Sequence, residues 1–412
     1  MSLITILLAS IPVLSGNARG SIVSYLKLSD VMLLLLASYL ILTFGKRTIL
    51  IDQIGNSLLI FTIIGIIMSV VNVNERTDLS SNTIIKSLFT FPQYLAAYLV
   101  SYWLAQKKVQ IEYFAIHSIY IATIISFIAI LQYFDIGPTR QLLATWTDNP
   151  EISNFPNWKN YRTTSIFYSW HALSMYLSMN LILLLHLIRY QKITKKYLLL
   201  LPILAIALVS SLTISPVILA LIGLFHFRYA NLRNIVLVTS IGAVITIFVT
   251  NDFFVSVQER INSQFFSQEG NFHILPQTLE FRLEIWKESI FPIILENFWS
   301  GYGFSDEGSF GFFRYTESMY FYLLLTGGIF LLLAFLFMQI QILYTLRNTK
   351  STEEVGDVGA QKTLKMITMS LVILSFIHPY FTDTGPAFLY FILIGLNQGS
   401  KVNHVRTTIR EK

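Results

Sequence analysis

The chain has 412 residues, of which 54% are hydrophobic and 13% are charged. Because a soluble globular protein carries roughly 25% charged residues, this composition excludes an ordinary soluble domain. The net charge of +6 does not indicate nucleic-acid binding, since the basic residues lie beside apolar runs, and the absence of cysteine excludes disulfides and thiol nucleophiles.

Apolar runs recur along the whole chain and predict an all-α, polytopic transmembrane helical bundle of about twelve spans. We interpret residues 1–15 as a first span rather than a cleaved signal peptide, because no basic residue precedes the run. The pair at 197–228 is either a tight hairpin or two half-helices. The predicted spans are 2–15, 28–44, 56–73, 84–105, 113–134, 164–188, 197–212, 213–228, 234–250, 317–345, 364–379 and 384–398, within one integral membrane domain, 1–412.

The distribution of charge predicts the orientation of these spans. With the N-terminus in the cytoplasm and the spans alternating, 18 of the 29 basic residues fall on the cytoplasmic side, against six of the 23 carboxylates. This asymmetry obeys the positive-inside rule. It predicts that both termini are cytoplasmic and that residues 346–363 form a cytoplasmic linker.

Two long segments then face the opposite side of the membrane. They are a first loop at 135–163 and a large loop at 251–316, both rich in aromatic residues. Loops of this length are usually functional or disordered, and their aromatic content favours function.

Within the large loop, residues 276–291 have the periodicity of an amphipathic helix that ends at Pro292. Arg282 falls on its apolar stripe, one turn before Trp286. A guanidinium is costly to bury without an anion, and its rigid donors suit a phosphate. The alternative is that Arg282 snorkels or pairs with a buried carboxylate such as Glu317. Both interpretations remain open at this point.

The same region carries a resemblance to a known family. Residues 280–288 read EFRLEIWKE, residues 297–304 read NFWSGYGF, and residues 316–329 read TESMYFYLLLTGGI. This pattern resembles the signature of the O-antigen polymerase and O-antigen ligase superfamily. Looser similarities are LSD at 28–30, RTTSIF at 162–167 and SLTISP at 211–216.

Two departures from the ligase pattern favour the polymerase branch. Ligases have an arginine where Pro216 stands, and a His-Asn pair where Glu317 and Ser318 stand. A ligase that attaches glycan to an acceptor is the runner-up. A flippase or transporter of lipid-linked oligosaccharides is the alternative from another class, but the centres of the spans carry essentially no ionisable residues, which counts against ion coupling.

The resemblance implies a GT-C-like membrane glycosyltransferase in the bacterial cytoplasmic (inner) membrane. Its reaction would be a metal-independent, inverting transfer at the outer face, which joins oligosaccharide repeat units on polyprenyl (undecaprenyl) diphosphate into O-antigen, capsule or exopolysaccharide. No cofactor or metal is implied. Membrane lipids surround such an enzyme, and the resemblance brings a chain-length regulator and a flippase into consideration as partners.

This chemistry assigns candidate roles to individual residues. Fixed cations would stabilise the diphosphate leaving group, and a base would activate the acceptor hydroxyl. We expect Arg282 and Glu317 to be catalytic. Taken singly, loop cations are usually solvated, interfacial aromatics usually form a belt, and a lone histidine near a span end, such as His378, is usually structural. The expected diphosphate- and sugar-binding side chains are Arg162, Lys159, Arg260, Arg314, Trp286, Tyr320 and His171.

Overall fold

The computed structural model describes residues 2–15, 21–23, 26–44, 51–73, 81–107, 109–147, 162–190, 195–226, 251–266, 274–303, 316–347 and 355–410. This part of the chain is almost entirely helical. Among the described residues, three helices are long and apolar enough to cross a membrane, and several shorter helices are also apolar. The structure therefore confirms the expectation of a helical protein with apolar helices that could cross a membrane. The predicted span at 234–250 lies outside the described residues.

The elements follow in chain order. They are α1 (Ser2–Ser15), β1 (Ser21–Val23), β2 (Leu26–Lys27), α2 (Leu28–Phe44), α3 (Gln53–Val73), α4 (Ser81–Gln106), α5 (Ile111–Tyr133), α6 (Thr139–Thr147), α7 (Trp170–Tyr190), α8 (Leu200–Ser210) after a 3-10 turn at Lys195–Leu199, α9 (Ile214–His226), α10 (Asn251–Phe265), α11 (Gln277–Ile285), a π-helical turn (Trp286–Ile290), α12 (Phe291–Glu296), α13 (Met319–Arg347), α14 (Val355–Leu374) and α15 (Thr384–Arg410). β1 and β2 pair as a short antiparallel ribbon.

α7 is the central helix of the bundle. Its residues from Ala172 to Leu187 are all buried, whereas α5 and α13 leave one face exposed. A helix that is buried on all sides is expected at the centre of such a bundle. The helices that pack around α7 are α5, α8, α9, α14 and α15. In addition, α3 packs against α13, and α4 packs against α15.

Hydrogen bonds join separate parts of the chain at each end of the bundle. At one end, Ser15 and Thr384 are joined, as are Thr163 and Ser210. At the other end, Tyr98 donates to the Asp52 carboxylate and the Nδ1 of His186 lies 3.0 Å from the Thr363 hydroxyl. We call the end of the bundle that contains Ser15 and Thr384 the site end, because the candidate functional residues lie there.

Several predicted boundaries are wrong, for local physical reasons. The sixth span begins at Trp170 rather than at 164, because Ser165 has a φ of +50° and breaks the helix. Residues 355–363 of the predicted linker belong to a helix, and Gln361 and Thr363 within it are buried. The last two helices occupy Val355–Leu374 and Thr384–Arg410.

The segment at 197–228 forms two short helices of 11 and 13 residues joined by a tight turn. At 1.5 Å per residue they are roughly 17 and 20 Å long, so each is shorter than the hydrocarbon core of a bilayer of about 30 Å. The two predicted loops also contain helices that periodicity did not reveal, α6 in the first and α10 in the second.

The amphipathic helix continues through Pro292 to Glu296, which corrects the prediction that Pro292 ends it. The π-helical turn just before the proline explains this. Within that turn the amide of Phe291 donates to the carbonyl of Trp286, five residues back. The wider turn makes room for the proline ring, which would clash in a regular α-helix.

Two glycines set the close contact between α15 and α4. A methyl group at Gly395 would lie 2.1 Å from the Ser101 hydroxyl oxygen, and one at Gly399 would lie 2.1 Å from the Tyr102 carbonyl oxygen. Spacing of small residues by four positions lets two helix backbones approach closely in a membrane protein.

We predict that Gly395→Leu lowers the free energy of unfolding in detergent by about 1–3 kcal/mol, because the added side chain overpacks this contact. Thermal unfolding of the purified protein measures the effect. Ser38→Leu, at an exposed position on α2, is the matched control and should leave the melting temperature unchanged. Equal melting temperatures for both variants would contradict the close packing of α15 on α4.

Candidate functional site

The turn between α14 and α15, residues 375–383, lies at the centre of the site end, and we call it the hub loop. Its carbonyl groups accept hydrogen bonds from three separate parts of the chain. Met319 N–H donates to Ser375 O at 2.8 Å, Arg282 Nη1 donates to Ile377 O at 3.0 Å, and the Tyr94 hydroxyl donates to Phe381 O at 2.5 Å. The hub loop therefore joins α4, α11 and α13 at one point.

The weaker motifs of the sequence also meet the hub loop or its end. The Ser215 hydroxyl is hydrogen-bonded to the Tyr380 hydroxyl. Lys27 Nζ donates to Ser15 O at 2.8 Å and to the Thr384 hydroxyl at 3.3 Å, while Asp30 accepts the Lys27 backbone N–H at 2.8 Å and so caps α2. The motifs at 28–30 and 211–216 thus support the same end of the bundle.

Arg282 is held by two partners at the site end. Its guanidinium forms an ion pair with the Glu317 carboxylate and also donates to Ile377 O. The two side chains are 19% and 38% exposed, so the pair is accessible to a ligand. Of the two interpretations that the sequence left open, pairing with Glu317 is observed. It does not exclude binding of a phosphate, because a guanidinium has five N–H donors.

Glu317 has an unusual backbone conformation. Its φ is +36°, in the left-handed region that is uncommon for residues other than glycine. Strain of this kind costs on the order of 1–3 kcal/mol and tends to occur at functional sites. The preceding residue is held by Trp286, whose Nε1 donates to Thr316 O at 2.7 Å. The arginine and the tryptophan of the helical signature thus hold adjacent residues of one segment.

Arg162 and two histidines form a second group beside the hub loop. The Arg162 guanidinium lies over the Trp170 ring, 5.0 Å from its centroid. His171 stacks on His378 of the hub loop with ring centroids 4.0 Å apart, and His378 Nε2 lies 3.1 Å from the Asp383 carboxylate.

The segment that carries Arg162 is fixed by two buried anchors. The side-chain oxygen of Gln132, at the end of α5, accepts the backbone N–H groups of Thr164 and Ser165 at 3.1 and 2.7 Å. Thr163 N–H donates to Ser210 O at 3.3 Å at the end of α8. These bonds satisfy backbone polar groups of an irregular segment and hold it against α5 and α8.

Arg260, on α10, joins the same group of charges. Burial lowers its pKa, and the nearby guanidinium of Arg282 lowers it further. α10 is tied to α11 by the Thr278 hydroxyl, which donates to the Gln264 side-chain oxygen at 2.6 Å. His171 lies within electrostatic reach of the three guanidinium groups of Arg162, Arg260 and Arg282.

The glycine-rich end of the signature docks on a break in α13. Tyr302 N–H donates to Leu325 O at 2.6 Å, and Gly303 N–H donates to Thr326 O at 2.9 Å. α13 is non-helical at Gly327 and at Gly328, whose φ is +62°. A methyl group at Gly328 would lie 2.1 Å from the Trp299 carbonyl oxygen. The glycines of the signature therefore permit backbone to pack on backbone.

The predicted site residues divide into three groups. Arg282, Glu317, Arg162, Arg260 and His171 come together at the site end. Trp286 and Tyr320 have structural contacts, since the Tyr320 hydroxyl donates to Val372 O at 2.6 Å and its ring is buried. Lys159 and Arg314 lie outside the described residues.

Sequence reasoning missed the hub loop and gave His378 a structural role. The available signal was a histidine and an aspartate, His378 and Asp383, flanking the short turn between the last two spans. The stacking of His378 on His171, more than two hundred positions away, has no signal in the sequence. Within the described ranges, no set of three or more His, Asp or Glu side chains is arranged to hold a metal ion.

We predict that Gly328→Ala destabilises the docked segment 297–303, because the new methyl group overlaps the Trp299 carbonyl. Gly137→Ala is the matched control, since Gly137 has a φ of +64° and no atom would lie within 4 Å of its added methyl group. The control measures the cost of a side chain at a positive φ without a steric overlap, about 1–2 kcal/mol. Gly328→Ala should lower the free energy of unfolding further, by at least about 1 kcal/mol. Equal losses for the two variants in thermal unfolding would contradict the docking.

The chain was also compared with known proteins. It matches no model of a protein family and no curated protein sequence.

Proposed function

We propose that the protein is a polysaccharide polymerase of the cytoplasmic membrane, which transfers a growing glycan from polyprenyl diphosphate to the next lipid-linked repeat unit. The observation that carries the proposal is the convergence of Arg162, Arg260 and Arg282, from three separate elements, beside the hub loop. The family resemblance of residues 280–329 supplies the reaction.

Bringing these three positive charges together costs free energy. Guanidinium groups repel one another, and burial removes the water that would screen them. Glu317 is paired with Arg282, whereas Arg260 Nε is buried without a partner among the described residues. An anionic ligand with two phosphates would offset the repulsion and fill unused donor positions, since guanidinium groups bind phosphate oxygens in pairs.

The chemistry of the leaving group fits the same arrangement. Negative charge develops on the diphosphate as its bond to the sugar breaks, so fixed cations lower the barrier without rearranging. Arg282 is suited to this task because the Glu317 carboxylate and the Ile377 carbonyl fix its orientation. Attachment of both lipid tails in the bilayer would align the two sugars and reduce the entropic cost of their encounter.

We predict that Arg282→Ala lowers the polymerisation rate by about 10²- to 10³-fold, because a fixed donor to the developing charge is lost. The measurement is a gel of surface and lipid-linked glycans from a deletion strain that carries each variant. Single repeat units should accumulate on the carrier. Arg347→Ala, at an exposed position at the other end of α13, is the control and should make polymer of normal length.

Polymer of wild-type length from a correctly inserted Arg282→Ala protein would remove Arg282 from the mechanism. Long chains that remain on the lipid carrier in the deletion strain would instead indicate a ligase.

A second prediction concerns the side of the membrane on which the site end lies. The chain has no cysteine, so single cysteines can be introduced without background. Ser263→Cys, on α10, should react with a membrane-impermeant maleimide in intact cells. Gln110→Cys, before α5 at the other end, should react only after permeabilisation. Both positions are exposed. The reverse pattern would place the site in the cytosol and contradict the proposal.

A further inference from the structure

His378 and Asp383 form a pair whose geometry is that of a base and the group that orients it. They stand at the two ends of a tight turn of the hub loop, with His378 Nε2 3.1 Å from a carboxylate oxygen of Asp383. Both side chains are largely buried, at 13% and 17% exposure. A hydrogen bond between a histidine and a carboxylate in such surroundings fixes the orientation of the ring.

The carboxylate also determines which nitrogen carries the proton. Because the Asp383 oxygen accepts a hydrogen bond, Nε2 of neutral His378 carries the hydrogen and the lone pair lies on Nδ1. Nδ1 is buried and has no hydrogen-bond partner among the described residues. A buried acceptor of this kind without a partner calls for a functional explanation.

The neighbours of the pair are those of the proposed diphosphate site. The His378 ring stacks on His171, and His171 is within electrostatic reach of Arg162, Arg260 and Arg282. The peptide carbonyl directly before His378, that of Ile377, accepts a hydrogen bond from Arg282. His378 is therefore one residue away from the contact that holds the proposed leaving-group cation.

Two other groups at the site end are less suited to accept a proton. The Glu317 carboxylate forms an ion pair with the Arg282 guanidinium through one oxygen, and protonation of the carboxylate would neutralise that pair. The His171 ring has its Nδ1 buried, as does His378, but no carboxylate hydrogen bond orients it within the described part of the chain.

We infer that His378 is the general base of the proposed glycosyl transfer, with Asp383 as its positioning residue. This inference rests on the proposed function. The acceptor hydroxyl gives its proton to His378 Nδ1 as its oxygen forms the bond to the anomeric carbon of the donor sugar. The bond between that carbon and the diphosphate oxygen breaks, and its electron pair leaves with the diphosphate. The proton on His378 then passes to solvent.

The test uses the full-length protein in lipid nanodiscs and the lipid-linked single repeat unit extracted from a deletion strain. His378→Gln keeps a side-chain N–H for Asp383 but has no basic nitrogen. We expect its transfer rate to fall by about 10²-fold or more, with binding of the lipid-linked repeat unit within about twofold of wild type. Asp383→Asn should lower the rate less, again with binding retained.

Matched variants separate a chemical role from a structural one. His117→Gln, at the opposite end of α5, should transfer at the wild-type rate. His378→Ala should recover part of its activity when imidazole is added, because free imidazole supplies the missing base, whereas His378→Gln should not recover.

The inference is overturned if His378→Gln transfers within about threefold of the wild-type rate. It is also overturned if Glu317→Gln alone loses transfer while still binding the repeat unit, or if His378→Gln loses binding as well as transfer. Failure of the wild-type protein to extend or bind the repeat unit would overturn the proposed function, which distinguishes that failure from failure of the base alone.

Discussion

The hub loop is the constraint on which the rest of the site end depends. A turn between two helices normally leaves several carbonyl groups to water. Here the carbonyl oxygens of residues 375, 377 and 381 accept hydrogen bonds from Met319, Arg282 and Tyr94, respectively. Each donor comes from a different helix, so a displacement of the turn would leave buried polar groups unsatisfied, at a cost of about 1–3 kcal/mol each. The turn thereby fixes where α11 and α13 meet the bundle.

The electrostatics of the site follow from that attachment. Arg282 is drawn to the hub loop by a carbonyl and to Glu317 by charge, and Arg260 lies close enough for its pKa to be lowered by Arg282. Such an arrangement is unfavourable in isolation, since like charges gather in a poorly solvated place. Clusters of this type are typical of sites that bind an anion or stabilise developing negative charge.

The motifs within residues 280–329 acquire a physical meaning from these contacts. Trp286 holds Thr316, Arg282 holds Glu317, and the glycine-rich end packs on the break in α13 at Gly328. The tryptophan and the glycines are positioning residues, because they hold the segments that flank Glu317 and Gly328. Because the arginine is the member of the signature with spare donors, it is the one suited to bind a ligand.

The sequence by itself determined the helical membrane-type architecture and the position of Arg282 on the apolar face of its helix. Both follow from the periodicity and the length of apolar runs, which are local properties of the sequence. It also allowed five of the candidate residues, those at 162, 171, 260, 282 and 317, to be named before their contacts were known. Only the tertiary structure decided that Glu317 pairs with Arg282, that His171 meets His378, and that Asp383 orients that ring. Such pairings depend on how helices far apart in the chain pack against one another. The local periodicity of the sequence gives no information about a distant partner.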